Sequence, residues 1–292
     1  MRIVETPEAV RAGNTSLTGL VPTMGFLHEG HLSLVQAARA SCDRIVMSVF
    51  VNPLQFDDPG DLERYPRDLE RDAALAEEAG VDVLYVPPLE VMYPVEPLTT
   101  VATAGVTEQL EGKHRPGHFV GVATVVAKLF ASLQPSRAYF GRKDHQQLAM
   151  VRRMALDLSF PLAVEGCPIV REPDGLALSS RNVFIGDRPR ALSISRGLEA
   201  AADAVDQGIR DGDRLVALVE EQLDLDTVDY VALADQDRAR VIERLDRPAF
   251  LAVAGHLGRV RLIDNLPLDL VGEMFVPDRG VRLSAPSALT RL

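Results

Sequence analysis

Two histidines stand three residues apart near the N-terminus, where an apolar run gives way to a turn that contains glycine. His28 and His31 lie in the sequence Pro22-Thr23-Met24-Gly25-Phe26-Leu27-His28-Glu29-Gly30-His31. The run 17–21 is typical of a strand and the apolar recurrence from Leu32 of a helix. Glycines let the backbone approach a ligand closely, and the free N–H groups of a helix start favour an anion. The junction therefore predicts a site for the phosphates of a nucleotide.

The two imidazoles admit three interpretations: a hydrogen-bonded structural pair, a metal-binding pair, or donors to a phosphate. The metal interpretation is weak, because the HxxH spacing has no third ligand nearby and falls short of the HExxH arrangement. Rings that donate N–H at a helix start suit the charge that develops on a phosphate during its transfer. We favour this third interpretation.

Two amides follow the next apolar run, in the sequence Phe50-Val51-Asn52-Pro53-Leu54-Gln55-Phe56. Asn52 before a proline is also common turn chemistry. Together in an apolar surround, Asn52 and Gln55 instead indicate a pocket for a small polar molecule that carries hydroxyls or a carboxylate.

A cation, a carboxylate and two amides open a later helix, in Phe140-Gly141-Arg142-Lys143-Asp144-His145-Gln146-Gln147. A solvated helix start would explain the same residue types. In a nucleotide site, Lys143 would be a point charge for a phosphate and Asp144 an acceptor for ribose hydroxyls.

Two serines stand beside an arginine in Leu178-Ser179-Ser180-Arg181-Asn182. A serine nucleophile is not expected, because the GxSxG elbow is absent. An ordinary turn between domains is one interpretation. Two hydroxyls beside a guanidinium also make a multidentate phosphate clamp, which a closing domain could bring onto a bound nucleotide.

An acidic stretch at 68–78 is mostly the solvated face of a helix. Within it, Asp72 is the candidate for a Mg²⁺ contact. Magnesium bound to a nucleotide keeps several waters and few protein ligands, so sequence spacing says little about such a site.

The elements that must position these residues alternate between strands and helices in the first part of the chain. We expect strands at 17–21, 44–51, 81–86, 99–102, 138–140 and 162–164, and helices at 30–41, 68–79, 119–133 and 143–158. This alternation predicts an α/β fold, a doubly wound parallel sheet with right-handed crossovers. Ligands of such sheets bind outside the carboxyl ends of the strands, where Met24, Asn52, Gln55 and Gly141 would lie.

The pattern changes near residue 171. Two Ala-rich helices within 188–223 precede strands at 228–234, 249–254 and 259–263, which predicts a smaller α+β domain with an antiparallel sheet. We therefore expect a Rossmann-like ligand-binding domain at 1–170, a smaller lid domain at 171–270 and an extended C-terminal tail at 271–292.

Composition narrows the class of protein. A formal charge of −11 over 292 residues argues against a general nucleic-acid binder, which would carry a basic face. The N-terminus lacks an apolar leader and no apolar stretch reaches the length of a membrane span, so we expect a cytoplasmic protein without a membrane partner. Cys42 and Cys167 lie far apart in sequence and are expected to be buried free thiols.

Four separated motifs, at 22–31, 50–56, 140–147 and 178–182, together resemble those of the pantothenate synthetase (pantoate–β-alanine ligase) family. The resemblance runs from about residue 20 to Leu268 and includes the segments 115–119 and 261–265. It implies a Rossmann-like domain related to nucleotidyltransferases and class I aminoacyl-tRNA synthetases, a smaller domain that helps to cover the site, and commonly a homodimer. The implied substrates are ATP, pantoate and β-alanine, with Mg²⁺ required.

The resemblance implies a two-step reaction. The pantoate carboxylate attacks the α-phosphorus of ATP to give pantoyl adenylate and pyrophosphate, and the amine of β-alanine then displaces AMP. Carried over by motif position, the catalytic residues would be His28, His31, Lys143 and Arg181. These four, with Ser179 and Ser180, would bind the phosphates or the departing pyrophosphate. The remaining nucleotide contacts would be Met24, Gly25, Gly141 and Asp144, and the pantoate contacts Asn52, Gln55 and Gln147.

Two positions depart from the family pattern. His145 stands where an aromatic such as Tyr or Phe is usual and adds a titratable ring. Arg71 stands at a position often acidic in relatives, which counts against a metal contact beside Asp72 but not against the use of Mg²⁺. Two hypotheses compete with the ligase: another nucleotidyltransferase with His-x-Gly-His, and a nucleotide-binding module without catalysis.

Overall fold

The computed structural model describes residues 1–12 and 16–291. Its strands are β1 Arg2–Val4, β2 Thr18–Thr23, β3 Arg44–Val49, β4 Val83–Tyr85, β5 Arg137–Gly141, β6 Ala163–Cys167, β7 Val170–Arg171, β8 Thr227–Asp235, β9 Ala249–Leu257, β10 Val260–Val271, β11 Met274–Pro277 and β12 Val281–Arg282. Its α-helices are α1 Pro7–Arg11, α2 Glu29–Arg39, α3 Pro59–Arg64, α4 Leu69–Glu78, α5 Leu89–Met92, α6 Glu111–His114, α7 His118–Leu133, α8 His145–Asp157, α9 Arg188–Asp206 and α10 Gly212–Glu220. Short 3₁₀ helices occupy Pro53–Gln55, Arg142–Asp144, Ser180–Phe184 and Ala288–Arg291.

The chain divides into two compact units that are discontinuous in sequence. The first comprises Met1–Thr103, Arg115–Gly141 and Met150–Cys167, and the second comprises Ala104–His114, Arg142–Ala149 and Pro168–Leu292. The segments 104–114 and 142–149, which the sequence prediction places in the first domain, fall in the second unit. One physical reason is Gln146, whose side-chain amide donates to the backbone carbonyls of Val106 and Gln109 at 2.7 and 2.8 Å and so joins these two segments.

A six-stranded sheet forms the centre of the first unit. Its strand order is β1-β4-β3-β2-β5-β6, with parallel neighbours throughout, which confirms the predicted doubly wound sheet. The order reverses between β2 and β5, and this reversal is where open α/β sheets bind their ligands. Among the described residues, β2 pairs with β5 only at Gly19 and Leu20. The two strands therefore do not pair with each other towards their carboxyl ends, where β2 leads to Met24 and β5 ends at Gly141.

Apolar side chains of α2 pack on this sheet because they recur on one face of the helix. Leu34, Val35 and Ala38 are buried in one cluster with Val21 of β2 and Met47 of β3. The near-continuous apolar character of β2 and β3 fits strands that are covered on both faces. This packing fixes the start of α2 relative to the end of β2.

Several predicted elements differ from the observed ones. The strand β1 and the helix α1 were not predicted, since three residues at a sheet edge and a five-residue helix carry too little periodicity. Residues 99–102, predicted as a strand, form none. The predicted helix from Lys143 begins instead with a 3₁₀ turn, and α8 starts at His145.

A four-stranded antiparallel sheet, in the order β11-β10-β9-β8, forms the second unit together with α9 and α10. Buried side chains of both helices and of the sheet share one apolar core. This confirms the predicted smaller α+β domain.

The stretch expected as an extended tail is folded into this unit. A turn at Gly272, with φ of +63°, leads from β10 into β11, which pairs with β10 along its length. Farther on, β12 pairs in parallel with β7. The expectation of a tail is corrected for these segments, because their backbone groups are satisfied by pairing; residue 292 lies outside the described residues. No helix in the described part of the chain is long and apolar enough to cross a membrane.

Candidate functional site

The two histidines at the start of α2 cap the helix reciprocally. His28 is the N-cap residue, and its Nδ1 accepts a hydrogen bond from the backbone N–H of Gly30 at 3.1 Å. His31 Nδ1 accepts from the backbone N–H of His28 at 3.3 Å. Because Nδ1 is an acceptor in both rings, each neutral imidazole carries its proton on Nε2. Both Nε2–H groups therefore belong to rings at the positive end of a helix, and their contact with a phosphate stays a prediction.

The metal interpretation of the pair gains no support from its surroundings. Both Nδ1 atoms are already engaged with backbone N–H groups. In residues 1–12 and 16–291, no group of three or more His, Cys, Asp or Glu side chains could hold a metal ion.

The loop between β2 and α2 is held by a buried carboxylate. Asp72 of α4 is 1% exposed, and its two oxygens accept hydrogen bonds from the backbone N–H groups of Phe26 and Leu27, both at 2.7 Å. Burial raises the pKa of Asp72, although these two hydrogen bonds oppose the shift. Gly25 has φ of +80°, and a Cβ there would lie 2.8 Å from Asp72 Oδ2. A glycine is therefore required where this carboxylate meets the loop.

This geometry gives Asp72 a structural role that was not predicted from the sequence. Both of its oxygens are engaged by the loop, and the side chain has almost no access to solvent. Arg71 does not supply a second carboxylate, and its guanidinium lies over the Phe26 ring at 5.3 Å from the ring centroid. The predicted contact of Asp72 with Mg²⁺ therefore stays a prediction.

Asn52, at the end of β3, has all its hydrogen-bonding capacity filled by the protein. Its Nδ2 donates to Gln55 Oε1 at 3.2 Å and to Gly121 O at 3.1 Å. Its Oδ1 accepts from the Tyr93 hydroxyl at 2.9 Å and from the Leu54 backbone N–H at 3.3 Å. An amide has two N–H groups and two lone pairs, so none is left for a ligand. Asn52 therefore positions Gln55 in this structure. A direct contact of Asn52 with a ligand, which the sequence predicts, would require one of these hydrogen bonds to be exchanged.

Gln55 brings the ends of two strands together. Its Nε2 lies 2.8 Å from the sulfur of Met24, which follows β2. Its backbone carbonyl lies 2.8 Å from His118 Nδ1 and also accepts from Arg115, which pairs with Asp57. The structure thus places the predicted acid-binding amide beside the predicted nucleotide motif.

Close packing of α7 against the 3₁₀ turn Pro53–Gln55 determines the position of Gln55. A Cβ on Gly121 would lie 2.0 Å from Leu54 O, so only glycine fits. Gly121 and Tyr93 were missed from the sequence. For Gly121, the available signal was a glycine inside a strongly apolar helix.

Three predicted site residues of the second unit lie at or near the start of α8. Lys143 and Asp144 belong to the 3₁₀ turn Arg142–Asp144, with Lys143 Nζ 3.8 Å from Asp144 Oδ1, and Gln147 is half-buried in the first turn of α8. Arg142 points elsewhere, because its guanidinium binds Asp269 and Asp278. Burial alone would lower the pKa of Arg142, and the two aspartates outweigh it and raise that pKa. Carboxylates therefore hydrogen-bond to Arg142, whereas Lys143 only lies near the carboxylate of Asp144.

The Ser-Ser-Arg motif forms the start of another 3₁₀ helix in the second unit. Ser179 is its N-cap, and its hydroxyl accepts from the backbone N–H of Arg181 at 3.3 Å. Asn182 donates from its side chain to Ala177 O at 3.0 Å and holds the turn closed. Ser180 is buried. The capping hydrogen bond gives Ser179 a structural role in this turn. Its contact with a phosphate stays a prediction.

The predicted site residues therefore fall into two sets. The first unit carries Met24, Gly25, His28, His31, Asn52, Gln55, Asp72 and Gly141, and the second carries Lys143, Asp144, Gln147, Ser179, Ser180 and Arg181.

Comparisons with known proteins extend over nearly the whole chain. The family model described as pantoate-beta-alanine ligase matches residues 2–267. The pantothenate synthetase of Heliobacterium modesticaldum is 49% identical over 268 residues, which cover 90% of this chain and 95% of the relative. That of Roseiflexus sp. (strain RS-1) is 47% identical over 92% of this chain and 100% of the relative.

Solved structures agree with these relatives. A crystal structure of pantothenate synthetase from Thermus thermophilus superposes with a TM-score of 0.87 at 48% identity and covers 91% of this chain and 99% of its own. The pantoate-beta-alanine ligase of Francisella tularensis, complexed with beta-gamma ATP and beta-alanine, has a TM-score of 0.74 at 31% identity and covers 91% and 97%. With this agreement in sequence and fold, the chain belongs to the pantoate–β-alanine ligase family.

Proposed function

We propose that the protein condenses pantoate with β-alanine to pantothenate at the expense of ATP, through a pantoyl adenylate, and releases AMP and pyrophosphate. The observation that carries this proposal is the family match over residues 2–267. The Francisella tularensis relative, crystallised with an ATP compound and β-alanine, supports two of the three substrates. The product is a precursor of coenzyme A.

In the first step, an oxygen of the pantoate carboxylate bonds to the α-phosphorus of ATP. The bond from that phosphorus to the bridging oxygen breaks, and pyrophosphate leaves with the electron pair. We assign His28 and His31 to the phosphate oxygens, because their Nε2–H groups stand at the positive end of α2. Donors that are already oriented in the free protein stabilise developing charge without reorganisation.

We assign Gln55 to pantoate, held by the buried amide of Asn52. Gln147 is assigned to the same substrate on the resemblance. The nucleoside end of ATP is assigned to Met24, Gly25, Gly141 and Asp144. Lys143, Ser179, Ser180 and Arg181 are assigned to the β- and γ-phosphates and to the departing pyrophosphate. Lys143 suits this role because Arg142, its neighbour, is already bound to two aspartates.

In the second step, the uncharged amine of β-alanine attacks the acyl carbon of the adenylate. The carbon–oxygen bond to AMP breaks, and the nitrogen loses a proton as the amide forms. No side chain becomes covalently attached in either step. The protein contributes by positioning the reactants, stabilising charge and keeping water from the mixed anhydride.

Magnesium is proposed only as the companion of ATP, where it neutralises phosphate charge and keeps most of its waters. Since Asp72 is engaged by the loop it holds, we assign no protein ligand to the ion. A homodimer and a cytoplasmic location are proposed from the resemblance. Light scattering of the purified protein tests the dimer, and a monomer mass at micromolar concentration would contradict it.

The test of function uses purified protein with Mg²⁺ and labelled pyrophosphate. We expect exchange of label into ATP only when pantoate is present, and pantothenate only when β-alanine is added. Exchange that requires a different acid would support the other nucleotidyltransferase hypothesis. ATP binding without any turnover would leave the binding-module hypothesis, and both outcomes overturn the proposal.

A further inference from the structure

One amide of β10 holds the turn that carries Lys143. Asn265 Nδ2 donates to Lys143 O at 2.6 Å and to Arg142 O at 3.0 Å. Asn265 is 3% exposed, so water does not compete for these two hydrogen bonds. Both N–H groups of a single side chain thus bind successive carbonyls of the 3₁₀ turn Arg142–Asp144.

Asn265 is itself fixed by a buried ion pair. Its backbone N–H donates to Asp264 Oδ1 at 2.7 Å. Arg171 binds both oxygens of Asp264, at 2.6 and 3.1 Å, and donates to the backbone carbonyl of Asn265 at 3.3 Å. The ion pair is almost fully buried, with the two side chains 4% and 5% exposed. The amide therefore projects from a rigid base, as the support of a functional group requires.

The two hydrogen bonds constrain the backbone on both sides of the Lys143 Cα atom. The carbonyl of residue 142 lies in the peptide before Lys143 and the carbonyl of residue 143 in the peptide after it. Holding both peptide planes fixes the direction in which the Lys143 side chain leaves the backbone. The side chain of Arg142 is tied separately by Asp269 and Asp278, so it does not share this function.

We propose that Asn265 is a positioning residue for Lys143, which it aims at the phosphates of ATP without contacting them. The inference rests on the proposed function, which assigns Lys143 to those phosphates. All the residues concerned belong to the second unit.

The experiment uses two full-length variants, Asn265→Asp and Asn265→Ser. The first keeps the shape of the side chain but replaces its donors with acceptors, and the second shortens the side chain so that it no longer reaches both carbonyls. We expect the KM for ATP in pantoate-dependent exchange to rise on the order of 10-fold in each, while the KM for pantoate changes much less.

A double-mutant cycle with Lys143→Met separates positioning from a general loss of stability. If Asn265 acts through Lys143, its substitution should cost much less once Lys143 is gone. An equal fold loss in both backgrounds overturns the inference, and so does an unchanged KM for ATP in both single variants. If Asn265→Asp does not fold, Asn265→Ser carries the cycle alone.

Arg210→Met is the matched control. Arg210 also donates from its side chain to two backbone carbonyls of the second unit, those of Val205 and Ile209, at 2.7 and 2.8 Å. Its removal should lower the melting temperature and leave the KM for ATP unchanged. A rise in KM equal to that of the Asn265 variants would attribute the effect to stability and overturn the inference. Absence of exchange in the wild-type protein would instead reject the proposed function.

Discussion

At the scale of single residues, the imidazole ring of His28 has two roles, one structural and one assigned to the reaction. Its Nδ1 caps α2, and its Nε2 is the donor assigned to a phosphate. We predict that His28→Ala loses both, and that His28→Asn loses only the phosphate donor because asparagine is a good N-cap. Both variants should lose on the order of 2.7–4 kcal/mol of transition-state stabilisation, by analogy with one oxyanion-hole donor.

Pyrophosphate exchange and thermal unfolding, measured together, check this prediction. The exchange rate should fall about 100- to 1,000-fold in both variants. Only His28→Ala should have a lower melting temperature, because it lacks the N-cap. Near-wild-type exchange in His28→Asn would contradict the assigned role. Full recovery of exchange at low temperature in His28→Ala would show that only the cap mattered.

The amide of Asn52 shows what local sequence can and cannot predict. Its position after a buried strand indicated a polar pocket, and Gln55 does lie beside Met24. Its partners Tyr93 and Gly121 are 41 and 69 residues away in sequence, so no local pattern reveals that they use up its hydrogen-bonding capacity. The local sequence was enough to predict that amides lie here. It was not enough to predict that Asn52 supports Gln55.

Tyr93→Phe tests this support. Its hydroxyl is buried enough to raise the pKa of Tyr93 to about 12, and its loss leaves one lone pair of Asn52 unmatched. We expect a loss of about 1–3 kcal/mol in the free energy of unfolding and a higher KM for pantoate, with the KM for ATP nearly unchanged. Urea unfolding and initial rates measure the two effects. A larger change in the KM for ATP than for pantoate would refute the assignment of Gln55 to pantoate.

At the scale of elements, contacts distant in sequence decide where helices begin. Apolar periodicity predicted α2, α7 and α9 well, because each buries one continuous face. It placed the start of α8 at Lys143, whereas residues 142–144 form a 3₁₀ turn whose carbonyls bind Asn265, 122 residues from Lys143. The start of α8 thus depends on β10, which the sequence prediction assigns to a different domain.

The contact between α7 and the turn Pro53–Gln55 gives an element-scale prediction. Gly121→Ala places a Cβ where Leu54 O lies 2.0 Å away, so the helix or the turn must move. Overpacking of this kind costs about 1–3 kcal/mol, and the shift should displace Gln55 and raise the KM for pantoate. Gly186→Ala is the control, because a Cβ there meets nothing within 4 Å. Equal behaviour of the two variants in urea unfolding and in kinetics would show that α7 yields without strain.

At the scale of the whole molecule, the second unit gathers segments that are far apart in the chain. A division read from sequence assigns contiguous stretches, and so it placed 104–114 and 142–149 in the first domain and left 271–292 as a tail. Side-chain hydrogen bonds from Gln146 and pairing of β11 with β10 reassign these segments. Residues beyond 267, where the family match ends, contribute Asp269 and Asp278 to Arg142.

This arrangement makes part of the stability of the second unit dependent on pH. The Arg142 guanidinium lowers the pKa of Asp269, chiefly through their hydrogen bonds. A carboxyl whose pKa is lower in the folded than in the unfolded chain stabilises the fold above its unfolded pKa, about 4, and loses that contribution as the pH falls through its folded pKa. Stability from this pair should therefore be complete at pH 7 and decline below about pH 4.

Asp269→Asn should lower the free energy of unfolding by about 1 kcal/mol at pH 7, a value that allows for solvent screening of a side chain 36% exposed. The deficit should begin to shrink as the pH falls below about 4, and it should vanish only below the lowered folded pKa of Asp269, where the wild-type carboxyl is protonated as well. Urea unfolding of both proteins across this range measures the difference, with the exposed Asp237→Asn as the control for lost net charge. A deficit that stays constant from pH 7 to pH 3 would show that the Asp269 carboxylate does not act through its charge on Arg142.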